Sequence, residues 1–67
     1  MTQEEKDKLL EKLNQMVERS NKAITIWTNL MERAEYPAEV CLKQIHIINK
    51  TKESYLKLIE EYEQQHG

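Results

Sequence analysis

Pro37 is the only proline in the chain, and the only glycine is the terminal Gly67. A chain of 67 residues with so little turn material has one obvious place to break. Just before that place, Trp27, Leu30, Met31 and Ala34 are spaced by three, one and three, so their side chains share one face of a helix. Glu35-Tyr36-Pro37 then interrupts the pattern. A residue preceding proline is pushed out of the helical region, and proline itself has no N–H to donate. Proline also suits the first position of a new helix, so Pro37 reads as the stop of one helix and the start of the next. Glu, Lys, Leu, Gln and Arg are abundant and favour helix. The expectation is an all-α chain forming one domain over residues 1–67. Its two long antiparallel helices, from about Gln3 to Glu35 and from about Pro37 to Gln65, fold back near Tyr36-Pro37. Each spans roughly 45–50 Å at 1.5 Å per residue.

The start of the first helix is marked by Thr2-Gln3-Glu4-Glu5, which matches a capping box. Thr2 accepts from the N–H three residues on, and Glu5 reaches back. Its apolar seam is Leu9, Leu13, Met16, Ser20, Ala23, Trp27, Leu30 and Ala34, alternating steps of four and three. A second apolar row, Leu10, Val17, Ile24 and Met31, lies beside the seam and widens it to three positions in seven, as a multi-helix bundle requires. Glu11, Glu18, Thr25 and Glu32 point outward, and Lys12, Arg19, Ile26 and Arg33 form the far flank. The second seam runs Cys41, Ile45, Ile48, Lys52, Tyr55, Ile59, Tyr62 and His66, flanked by Leu42, Leu56 and Leu58. Folding at Tyr36-Pro37 sets Met31 near Cys41, Trp27 near Ile45, Ile24 near Ile48 and Leu13 near Ile59. Ser20 then falls near Lys52, with Asn21, Asn49 and Thr51 close by. Such a polar belt weakens a bundle and penalises wrong registers. Lys52 reads as a residue whose methylenes lie along the seam while its ammonium reaches solvent.

The second helix opens with Val40, Cys41, Leu42, Ile45, Ile47 and Ile48, which together occupy well over half of its circumference. A helix apolar on more than one side must be covered on more than one side, and one antiparallel partner cannot do that. Short chains also rarely build a sufficient core alone. The single cysteine rules out an internal disulfide and suggests a reducing, cytoplasmic setting. The expected function is therefore that of a small non-enzymatic interaction module: a regulator, inhibitor or chaperone-like adaptor. Its partner is a second copy, giving a homodimeric four-helix bundle, or a helical segment of another protein. Trp27, Met31, Tyr36, Val40, Leu42 and Ile47 are the candidate contact residues. Ile47 is the most diagnostic, because it lies off the seam and a lone hairpin leaves it exposed.

Other chemistries lack their residues. A phosphate-cradling loop needs several glycines. Cys41 and His46 are five apart and face different ways on a helix, which disfavours both a metal pair and a Cys–His nucleophile. No carboxylate pair falls in an apolar setting suited to acid–base work, so neither a cofactor nor an enzymatic activity is expected. Asn49-Lys50-Thr51 matches a glycosylation sequon but lies within a helix, where it reads as chance. No apolar run approaches the ~20 residues that cross a bilayer. Ten basic against twelve acidic residues give a formal charge of −2, which argues against a dedicated nucleic-acid binder. The weak row Lys43, Lys50 and Lys57 keeps RNA or DNA binding as the alternative.

Overall fold

Capping fixes where the first helix begins. In the computed structural model, which describes residues 2–64, Thr2 is extended and its hydroxyl accepts from the Glu5 N–H at 3.2 Å. The same hydroxyl donates to the Glu5 carboxylate at 3.0 Å, so Glu5 reaches back to the side chain of the cap. Glu4 and Glu5 sit in the first turn, where the unpaired N–H groups favour negative charge. From there α1 runs Gln3–Glu32.

The expected end at Glu35 is corrected: the helix stops three residues earlier, and proline is not what stops it. Ala34 takes the left-handed conformation, with φ of 56°. The Ala34 N–H then donates to the Met31 carbonyl at 3.1 Å, and the Glu35 N–H to the Leu30 carbonyl at 3.1 Å. This pair of bonds is the Schellman closure, which satisfies carbonyls the helix would otherwise leave open. Alanine stands where glycine is usual.

Helix α2 runs Ala38–Gln64. Its start is also shifted by one residue from expectation. Pro37 lies outside the helix and its carbonyl accepts from the Val40 and Cys41 N–H groups at 3.1 and 3.2 Å, so it caps the helix and does not occupy its first position. Gln65, His66 and Gly67, including the expected helix end at Gln65 and the seam position at His66, lie outside the described residues.

Thirty residues of α1 and twenty-seven of α2 would each extend roughly 40–45 Å. The long axis of the molecule is only 50 Å, with the others 15 and 11 Å, so the helices lie side by side. A five-residue connection between adjacent ends makes them antiparallel. The register is close to that expected from folding at Tyr36-Pro37. Residues 16–23 of α1 stand beside residues 47–55 of α2 along one groove. Leu13, Cys41 and Ile59 are buried, and Cys41 is wholly so. At the closed end the ring of Tyr36 meets that of Trp27 edge-on, with centroids 5.8 Å apart and planes at 65°. Such pairs add about 0.5–1.5 kcal/mol beyond the area they bury.

The mid-seam polar residues satisfy themselves within their own helices. Ser20 donates to the Met16 carbonyl at 2.9 Å, Thr28 to Ile24 at 2.8 Å and Thr51 to Ile47 at 3.1 Å. Ser20 and Lys52 are both half-buried. Of the belt residues, Ser20 and Thr51 are thus bonded one turn back, a pattern that costs little helix stability.

Candidate interaction surface

Two helices packed along one seam leave each with a large uncovered arc. A chain of 8.1 kDa that folds as a compact monomer exposes roughly 4,500 Å². This one exposes 5422 Å². The excess follows from the elongated two-helix shape, 50 by 15 by 11 Å. Large apolar side chains remain exposed: Met16, Ile26, Val40, Leu42, Ile47, Leu56 and Leu58 are each at least 40% exposed.

These side chains divide between the two broad sides of the hairpin. On one side Met16, Arg19, Ser20 and Ala23 of α1 and Ile47, Ile48, Thr51 and Tyr55 of α2 line a groove of about 370 Å³, open to solvent. Ile47, half exposed, forms its lip. Val40 lies seven residues before Ile47 and Leu58 eleven after it, both spacings that return to the same side of a helix. The groove side therefore carries Met16, Val40, Ile47 and Leu58. Leu42 and Leu56, fourteen residues apart, share the opposite side, with Asn49 midway between them.

The six candidate contact residues thus do not form one surface. Val40 and Ile47 share the groove side, and Leu42 stands on the other. Trp27 and Met31 are half-buried towards the closed end, and Tyr36 is exposed in the connection except where it meets Trp27. Met16 and Leu58 also lie on the groove side, although neither was among the candidate contact residues. Met16 reads as seam by spacing yet is 40% exposed, because it sits where the seam turns into the groove wall. The detectable signal was the eleven-residue step from Ile47 to Leu58, three helical turns on the same side.

Charge divides less cleanly than apolar content. Arg19 lines the groove, and Lys12 and Arg33 stand seven residues before it and fourteen after it, in the same row of α1. On α2, Lys43, Lys50 and Glu61 follow Val40, Ile47 and Leu58 by three residues each, so the other edge carries both signs. Among the described residues none of these five cations has an ion-pair partner within 4.0 Å. The leucine side is edged by acids. Glu39, Glu53 and Glu60 stand three or four residues from Leu42 or Leu56, and Glu11 and Glu18 border it on α1.

The interior has no polar or charged residue among the described residues. Nor do any three of their His, Cys, Asp or Glu side chains stand close enough to hold a metal ion. Cys41 is buried and His46 exposed, so the two share no site. Among the described residues no helix is long and apolar enough to cross a membrane. No protein-family model, curated protein sequence or solved structure matches the chain.

Proposed function

We propose that this hairpin is a small non-enzymatic interaction module, a regulator, inhibitor or chaperone-like adaptor, whose groove side is completed by another helix. That helix comes either from a second copy, giving a four-helix bundle, or from a partner protein. The lone buried thiol suits a reducing compartment such as the cytoplasm. The observation that carries the reading is the groove itself: an apolar floor between two helices, lipped by a half-exposed Ile47. Patches of this kind mark contact sites, and helix-in-groove docking uses anchors at helical spacing. Nucleic-acid binding is the weaker reading. The cations at the groove edge could meet phosphates, but an apolar floor between them gives phosphates nothing to bind.

The test is Ile47→Lys, read by light scattering on a sizing column at several concentrations and by circular dichroism. The expected outcome is loss of the dimer, or of a partner complex, with helix content nearly unchanged. Assembly that survives the substitution would remove the groove from the function.

A further inference from the structure

Resting on the docking reading, we infer that the groove side is covered by the groove side of a second copy. The two-fold axis runs along the helices, so α1 of each copy lies on α2 of the other and both closed ends point the same way. Two rows of exposed residues carry this. On the outer edge of α1 stand Lys12, Arg19 and Ile26, spaced by seven, and on the outer edge of α2 stand Ile47, Ser54 and Glu61 at the same interval. Arg33 continues the first row and Val40 the second. The helices are antiparallel, and residues 16–23 stand beside residues 47–55, so the rows come level in reverse order. Ile26 is level with Ile47, Arg19 with Ser54 and Lys12 with Glu61, each to within about one helical turn of ~5 Å.

Within one hairpin the two rows lie on opposite edges and do not meet. A two-fold axis parallel to the helices exchanges the edges without changing heights, so each α1 row faces the α2 row of the other copy in the register the hairpin itself fixes. Ile26 and Ile47, 57% and 51% exposed, then cover each other at both rims. This accounts for Ile26, an isoleucine in an otherwise basic row and the most exposed of the large apolar side chains among the described residues. Lys12 meets Glu61, and among the described residues neither has an ion-pair partner within 4.0 Å. Arg19 meets a serine hydroxyl. The other face-to-face arrangement turns one copy about an axis across the helices and lays α1 on α1. At full overlap it brings Lys12 against Arg33, which repel, and Ile26 against Arg19. The side itself measures 50 by 15 Å. Its projection, about 750 Å², matches the ~800 Å² that each partner gives to a standard interface.

The experiment uses the full chain. Light scattering on a sizing column at several concentrations should give a dimer. The double variant Ile26→Cys with Ile47→Cys is then oxidised. The expected product is a covalent dimer, because a disulfide needs Cα atoms within about 7 Å and the two positions of one hairpin stand on opposite edges. Lys12→Glu, at an exposed position, should weaken the dimer at least fivefold at about 50 mM salt with helix content unchanged. Adding Glu61→Lys to it should restore the dimer to within twofold. Both effects should shrink at about 500 mM salt, where the screening length is roughly 4 Å. A dimer that does not cross-link, or that Lys12→Glu leaves unchanged or tightens, would overturn this arrangement and leave a docking module. A monomeric chain that takes up a leucine-striped helical peptide of about eighteen residues, and loses it on Ile47→Lys, would overturn the second copy and likewise leave the module. A monomer that binds no such peptide would remove both.

Discussion

Ala34 shows how one residue sets the end of a helix. Its φ of 56° places an alanine Cβ in the left-handed region, which costs an L-residue roughly 1–2 kcal/mol and glycine almost nothing. The two Schellman bonds and the edge-on contact of Tyr36 with Trp27 hold it there. Ala34→Gly should therefore stabilise the hairpin by roughly 1 kcal/mol, less the added freedom glycine gives the unfolded chain. A rise of several degrees in the thermal midpoint would show it. A fall would mean the alanine makes a contact worth more than its strain. This residue also explains why the helix end was illegible. The sequence signals for a stop are glycine and proline, and Pro37 is the only one nearby. The actual closure uses backbone groups of Leu30 and Met31, which carry no side-chain signature. Thr2 and Glu5, by contrast, announce the helix start through their side chains, and the helix begins where they place it.

Each helix satisfies its own polar groups and leaves apolar ones over. Hydroxyl groups of Ser20, Thr25, Thr28, Thr51 and Ser54 all donate to the carbonyl one turn back, so they need no partner from the other helix. Ser20 is the informative one, because it is half-buried at the seam and also lines the groove. Ser20→Leu should stabilise the hairpin by about 1 kcal/mol, through the apolar area it buries. The same side chain fills the groove floor, so affinity for a docked helix should fall several-fold. Urea denaturation and peptide binding on one preparation measure both, and a variant that gains stability with unchanged binding would separate Ser20 from the groove. Seam periodicity made the two helices and their register readable. It could not tell a seam residue from a groove-wall residue, because both share the same seven-residue spacing. That distinction, which separates Met16 from Leu13, depends on how far the partner helix reaches round.

At the scale of the whole molecule, the shape is a flat two-helix layer, 50 by 15 by 11 Å, with two unlike sides. One is grooved, with a basic row along its α1 edge, and the other is more polar. Individual charge rows were visible from spacing. Their assignment to opposite sides of the hairpin needed the groove to show which flank of α1 lies beside which flank of α2. What could not be read from the sequence is therefore mostly a matter of juxtaposition.

The wholly enclosed thiol of Cys41, in the first turns of α2, gives the molecule a built-in clock. A reagent that couples to thiols reaches it only while the closed end of the hairpin is apart, so labelling counts openings and ignores the folded majority. For a chain of this size, whose total stability is roughly 3–10 kcal/mol, labelling should run at least about a hundredfold slower than in denaturant. Anything that clasps the hairpin shut should slow it further, in proportion to the ligand present over its dissociation constant. A rate equal to that of the denatured chain would mean the closed end spends its time open. The one cysteine thus turns occupancy of a groove on the outside into a rate measured on the inside, without a label that touches the binding surface.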